Sequence, residues 1–257
     1  MKSEHTEIIQ KAFTMQSRHF ETHRANFMQK GFLDHVVSEV QPKKTDHVLE
    51  VAAGTCICGR AFAPFVHEVI CLDVTPAMLA VGKMQAEKQA YNNMMFVTGD
   101  AEELPFLDYS FDVVISRLAF HHFSNTELPF SEMARVLKKG GKLILIDMEA
   151  ADEKFRMVQT EIERLRDPSH IQNLSKSEML HLFSKHNFEV EQCSTATIPK
   201  DLLEWLDFTK TPETVQQEII RRFQAELDGK AKTGFCPYWK NGRICFNHKW
   251  ITIVGRK

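Results

Sequence analysis

The chain has 257 residues, 43% of them hydrophobic and 26% charged, with a formal net charge of −2. That length builds a full core as one large domain, and the near-neutral balance leaves no general basic field for an extended nucleic-acid partner. The N-terminus, MKSEHTEIIQKAF, lacks an apolar leader, and no stretch approaches the roughly 20 apolar residues of a membrane helix, so the expectation is a soluble, cytoplasmic protein without a membrane span.

In chain order, residues 5–40 carry Ile8, Ile9, Ala12, Phe13, Phe20, Phe27, Phe32, Leu33 and Val36 at mixed three- and four-residue spacings. This predicts two amphipathic helices broken near Gly31, placed to form a lid. Short apolar runs follow: HVLEVAA (47–53), EVICLDV (68–74), NMMFVTGD (93–100), FDVVISRL (111–118) and KLILIDME (142–149). Runs of Val, Ile and Leu without polar alternation are strands buried on both faces. Between them lie helical stretches at 57–66, at 76–90 opening on Pro76, and at 124–138, the last ended by Gly140-Gly141. The alternation is that of a doubly wound, Rossmann-like α/β fold.

Beyond residue 150, EKFRMVQTEIERLRD, KSEMLHLFSKHNF, DLLEWLDF and ETVQQEIIRRFQAELDG read as helices, and FEVEQCSTATI and HKWITIVGR as strands. The first two helices are expected above the carboxyl edge of the sheet, where open α/β sheets bind ligands. The organisation is then a single domain, 1–257, with an N-terminal helical lid (1–44), a core (45–150) and lid helices with C-terminal strands (151–257).

The six cysteines, Cys56, Cys58, Cys71, Cys193, Cys236 and Cys245, form no CxxC pair and read as reduced thiols, with no metal site expected. In EVAAGTCICG (50–59), a strand ends at Glu50 and a turn leads into a helix, which presents backbone N–H groups to an anionic part of a ligand. A dinucleotide fold wants G-x-G-x-x-G, but the frame here is Gly54, Cys56, Gly59. The middle glycine, which admits a pyrophosphate, is a cysteine, and this disfavours NAD or FAD.

EVAAGT, LDVTPAML, VTGDAEELPF, FDVVISRLAFHHF and MARVLKKGGKLILID follow one another in an order and spacing that resembles class I S-adenosylmethionine-dependent methyltransferases over about residues 45–150. Ala52 resembles the ubiquinone and menaquinone methyltransferase branch, although the amino-terminal signature of those quinone enzymes is not visible. The resemblance implies a seven-stranded sheet with the last strand antiparallel, S-adenosylmethionine as cofactor and S-adenosylhomocysteine as product. It puts Glu50 under the methionine portion, beside the loop of Ala52 and Gly54. Asp73, 19 residues after Gly54, meets the ribose hydroxyls, with Val74 and Met78 against the adenine. Asp100 accepts from the adenine amino group, or caps the turn before Leu104-Pro105, and the Ala101 amide faces the ring. Ser116-Arg117-Leu118 passes the sulfonium through backbone oxygens.

His121 and His122 are candidate proton acceptors, since histidine titrates near neutrality; the alternative is a packed or capping role. No third ligand makes them a metal site. Relatives commonly carry glycine at the positions of Ala52 and Cys56, so Cys56 is expected to narrow the methionine end. The acceptor pocket is expected from Phe13, Phe20 and Phe27 and from Arg164, Arg166, His170, Trp205 and Phe208, most of which also suit a core. The C-terminal TGFCPYWKNGRICFNHKW is placed to close over the site or to form an oligomer contact. The implied activity is in-line methyl transfer to a small-molecule acceptor by a monomer or homodimer. A SAM-binding protein without turnover and an NAD(P)-dependent oxidoreductase are the alternatives.

Overall fold

The computed structural model describes residues 4–17, 19–21 and 29–257. Its elements, in order, are α1 (Glu4–Ser17), α2 (Gln29–Val40), β1 (His47–Val51), α3 (Ile57–Phe62), β2 (Glu68–Asp73), α4 (Pro76–Lys88), β3 (Met94–Thr98), β4 (Phe111–Arg117), α5 (Glu127–Val136), β5 (Leu137–Met148), α6 (Glu153–Arg166), α7 (Lys176–Lys185), β6 (Glu189–Asp201), α8 (Leu202–Phe208), α9 (Glu213–Leu227), β7 (Tyr238–Lys240) and β8 (Arg243–Arg256). The sheet runs β3-β2-β1-β4-β5-β8-β6. These seven strands are the expected ones, with β8 antiparallel to both β5 and β6. The short β7 adds an eighth by pairing with β8.

Each face of the sheet is buried under helices. Leu49, Val51, Leu72, Val114 and Leu145 pack with Phe130 and Met133 of α5 and Met179 and Phe183 of α7. On the other face Val48, Val69, Cys71 and Ile144 pack with Val36 and Val40 of α2 and Phe62 of α3. Burial on both faces is why the strands read as unbroken apolar runs. A smaller core joins Ile162, Trp205, Phe223, Phe235 and Phe246 beside the sheet.

Several elements differ in extent or placement from the sequence reading. Gly31 lies inside α2, so the two N-terminal helices part before residue 29, and Phe27 lies outside the described residues. Helix α5 stops at Val136, ahead of the glycines, because Leu137 already pairs with Phe111 in the sheet. Gly140 takes φ +76° in an irregular stretch of β5, where the register steps between Phe111 and Val113. Helix α7 covers a sheet face through Met179, Leu182 and Phe183 instead of sitting over the carboxyl edge.

The last two long strands set up the site. Met148 at the end of β5 pairs with Trp250, yet β6 and β8 continue together to Asp201 and Cys245. At about 3.3 Å per residue this ribbon projects beyond the other strands at the carboxyl edge and forms a wall there.

Candidate active site

Strand order reverses between β1 and β4, both parallel partners at the centre of the sheet, which opens a crevice at their carboxyl ends. A cavity of about 400 Å³ occupies it, within the range of small-molecule sites. Glu50, Ala52, Gly54, Asp73, Val74, Met78, Asp100, Ala101, Arg117, His121 and His122 all border it.

Glu50 is buried and its carboxylate accepts the amides of Cys58 at 3.2 Å and Gly59 at 2.7 Å. Burial pushes its pKa up to about 7, against the opposing effect of those amides. Gly59 is required by this contact: a Cβ there would lie 2.8 Å from a Glu50 oxygen and 2.7 Å from Cys71 Sγ. Asp73 accepts the Gly54 amide at 2.7 Å on one oxygen and the Thr75 amide at 2.7 Å on the other. Burial raises its pKa as well. An ionised carboxylate has about four acceptor sites, so each oxygen keeps a lone pair for a ligand hydroxyl. Asp100 accepts the Glu102 amide at 3.0 Å and still lines the cavity, so turn formation and exposure to a ligand coexist.

The turn after β1 is left-handed at Ala52 (φ 52°), Gly54 (φ 53°) and Cys56 (φ 59°), which only glycine adopts without strain. Cys56 is fully buried and is not among the residues bordering the cavity. Its Sγ lies 3.7 Å from the Gly54 carbonyl oxygen and reaches toward Gly82 of α4, where an added Cβ would meet it at 2.7 Å. The expectation that Cys56 narrows the cofactor end is therefore corrected: the thiol packs into the core behind the turn. Glu50, Cys56 and Cys71 bring three donor atoms within 4.8 Å of one another. Burial raises both thiol pKa values, which disfavours the thiolates a metal would need.

The two histidines separate by role. Asp147, buried in β5, faces His121 Nδ1 at 2.6 Å. Its other oxygen accepts the Phe120 amide at 2.7 Å. A carboxylate only accepts, so His121 Nδ1 carries the proton and Nε2 is the basic nitrogen. Burial alone would depress His121, but the Asp147 charge and hydrogen bond outweigh it and hold the pKa above the usual histidine value. His122 instead lies with Nδ1 2.9 Å from the Ser169 carbonyl oxygen. Burial and the neighbouring His121 lower it to about 4, so it stays neutral and serves as wall. His170 stacks on His121 with ring centroids 5.2 Å apart, and the amides of Ile171 and Gln172 donate to the His121 carbonyl.

The cavity closes from three sides. Helix α1 supplies Ile9 and Phe13, while His5 and Gln10 reach the backbone carbonyls of His122 and Val74 at 2.7 and 2.6 Å. Phe20, Arg166, His170, Trp205 and Phe208 line it as expected; Arg164 does not, and binds the Ile171 carbonyl at an exposed position. The projecting ribbon contributes Ile198, Lys200, His248 and Trp250. Part of the C-terminal aromatic stretch thus forms the cavity wall.

Residues 49–145 match the methyltransferase domain family. The chain is also 33% identical over 225 residues to the uncharacterized methyltransferase YcgJ of Bacillus subtilis, spanning 86% of this chain and 88% of the relative. The chain belongs to the class I S-adenosylmethionine-dependent methyltransferases. The crystal structure of YcgJ superimposes with a TM-score of 0.80, covering 88% of this methyltransferase and 97% of YcgJ at 32% identity. The BH2331 protein of Bacillus halodurans gives 0.79 at 31% identity over 88% and 98% of the two chains. At the level of fold alone, this methyltransferase is similar to phosphoethanolamine N-methyltransferase 2 of Haemonchus contortus, solved with S-adenosyl-L-methionine (TM-score 0.60, 20% identity, 89% of this chain and 52% of that one). Among the described residues no helix is long and apolar enough to cross a membrane.

Sequence reasoning missed Asp147, Lys200, His248 and Trp250. Asp147 carried a signal, as a lone carboxylate inside the apolar run LILIDM. His248 and Trp250 were singled out only as part of the C-terminal aromatic stretch expected to close over the site, and Lys200 carried no signal.

Proposed function

We propose that this methyltransferase binds S-adenosylmethionine along the carboxyl ends of β1 to β4 and methylates a hydroxyl or enol-type oxygen or carbon of a small molecule, with His121 as the base. The observation that carries this reading is one cavity shared by the Glu50, Asp73 and Asp100 carboxylates and by the Asp147-anchored His121.

The residues present suit the cofactor. Asp73 holds the Gly54 amide of the left-handed turn and Glu50 holds the Cys58 and Gly59 amides at the start of α3, and both Asp73 oxygens keep acceptor capacity for a ribose diol. Glu50, near neutrality in its buried setting, gains from an ammonium placed beside it. Val74, Met78 and Ala101 give apolar contact for the adenine, with Asp100 beside it. Arg117 and Leu118 bring the backbone at the end of β4 to the cavity, and Leu118 is itself held in a left-handed turn (φ 52°). When bound, S-adenosylmethionine supplies an electrophilic methyl group.

The chain's part is positioning, dehydration and proton transfer. His121 Nε2 takes the acceptor proton, and Asp147 stabilises the resulting imidazolium and fixes the tautomer. We assign α1, whose His5 and Gln10 span the cavity from the β4 end to the β2 end, the role of a lid. A cavity of this size favours a small acceptor over a polymer.

The test is calorimetric titration with S-adenosylhomocysteine and NADH, followed by mass-detected methyl transfer to a panel of phenols, enols and amines. Binding of the adenosyl ligand alone and methylation of a panel member are expected. NADH binding without adenosyl binding, or adenosyl binding with no methylation across a broad panel, would overturn the reading.

A further inference from the structure

The acceptor end of the cavity is unbalanced in charge. Its carboxylates are answered: Asp201 accepts the amides of Leu203 and Glu204 and faces Arg243 at 3.2 Å, and Asp167 accepts from the amide and hydroxyl of Ser169. Glu163, buried behind this wall, pairs with Arg166 at 2.9 Å. Two cations have no partner in contact, although Glu50 and Asp147 attract Arg117 and Glu163 attracts Lys200 from further away. The Arg117 guanidinium carbon lies 5.0 Å from the Trp250 ring centroid, with Nε and Nη2 buried and without a hydrogen-bond partner. Lys200 Nζ lies 5.6 Å from the same ring. Among the described residues neither cation has a carboxylate within ion-pair distance, and both border the cavity. Burial, together with Arg166 and Arg117, pushes Lys200 down to about 8.

Buried cationic groups with no carboxylate in contact are costly, and such a pair at a ligand cavity is unusual unless the ligand completes it. Resting on the methyltransferase reading above, we propose that the methyl acceptor is an organic acid, and that its carboxylate is taken up beside Trp250 by Arg117 and Lys200. The planar guanidinium offers paired N–H donors to a carboxylate, and the lysine adds a point charge. The apolar body of the acid packs on Ile198, Trp205 and Phe208. Arg117 thereby serves both ligands, through its backbone beside the cofactor and through its side chain at the acid. Holding the acid at this end selects which end of the acceptor meets the methyl group.

The experiment uses the full chain saturated with S-adenosylhomocysteine. It is titrated with 4-hydroxybenzoate, 4-hydroxycinnamate and indole-3-acetate, each against its carboxamide, and with phenyl phosphate against phenol. The wild type is compared with Lys200→Met, Lys200→Arg and Arg117→Gln. At least one carboxylate is expected to bind about tenfold or more tightly than its amide. That preference falls to about threefold or less in Lys200→Met and Arg117→Gln and persists in Lys200→Arg, while Lys200→Met binds S-adenosylhomocysteine within about threefold of wild type. Equal binding of acids and amides, a preference that survives both neutral substitutions, or a preference confined to phenyl phosphate would overturn the proposal. Failure of the wild type to bind S-adenosylhomocysteine is a different result, and it would strike the methyltransferase reading itself.

Discussion

The two ends of the cavity are built on opposite principles. At the end proposed for the cofactor, the Glu50 and Asp73 carboxylates already hold the backbone amides of Cys58, Gly59, Gly54 and Thr75 before any ligand arrives. At the end proposed for the acceptor, Arg117 and Lys200 lie against Trp250 with no carboxylate at ion-pair distance among the described residues. The first end is contiguous in the fold, made from strand ends and the turns that follow them. The second is assembled from α1, the segments around α6 and α8, and the ribbon of β6 and β8. The difference teaches that a site for one invariant ligand can be preorganised by local backbone geometry. A site that defines a particular acceptor draws its chemistry from distant, independently variable segments.

The largest effect expected is at the junction of the two ends. With an acceptor from the panel, His121→Ala lowers the turnover rate by about 10²- to 10⁴-fold, and Asp147→Asn lowers it by a large part of that. Because His121 is basic only when neutral and its pKa is raised, the wild-type rate should climb with pH through a value above the ordinary histidine range, and His121→Ala should lose that limb. A rate unaffected by either substitution would reduce His121 to a packing residue.

Asp73→Ala tests the preorganised end. Loss of two charge-assisted hydrogen bonds to a diol weakens S-adenosylhomocysteine binding by about a hundredfold or more, read by calorimetry. Stability also falls, because the Gly54 and Thr75 amides lose their acceptor.

Glu50 gives a pH signature. Its folded pKa is raised, from 4.5 to about 7, so its contribution to stability is full below pH 4.5 and is lost as pH rises through about 7. The shift corresponds to about 3 kcal/mol in the stability gap between wild type and Glu50→Gln, moving in favour of the variant as pH rises. Melting temperatures across that range measure it, and a gap independent of pH would refute the assignment.

The smallest effect is at Cys56. Replacement by glycine relieves a left-handed residue by about 1 kcal/mol, offset by a similar gain in unfolded-chain entropy and by lost packing at Gly82. Cofactor affinity should stay within about threefold, since the thiol lies behind the turn. A tenfold change would mean that the side chain does shape the pocket.

The same contrast governs how much could be read from the sequence. The strands were legible because burial on both faces writes continuous apolar runs. Glu50, Asp73 and Asp100 were legible because they stand at or just past the ends of those runs. Gly140-Gly141 misled, because a glycine pair after a helical stretch looks like a helix stop, whereas pairing of Leu137 with Phe111 ends the helix earlier. Helix α7 misled because an amphipathic helix does not state which surface its apolar face covers. Asp147 stands 26 residues from the histidine it orients, and local spacing carries no trace of that pairing. Lys200 meets Trp250 only through the extended register of β6 on β8.

The division of labour is tested most directly by titrating S-adenosylhomocysteine into the wild type, Asp73→Ala, His121→Ala and Lys200→Met under one set of conditions. A loss of about a hundredfold confined to Asp73→Ala is expected, with the other two variants within about threefold of wild type. No binding by the wild type, or an equal loss in the Lys200 and His121 variants, would contradict a cavity divided between cofactor and acceptor.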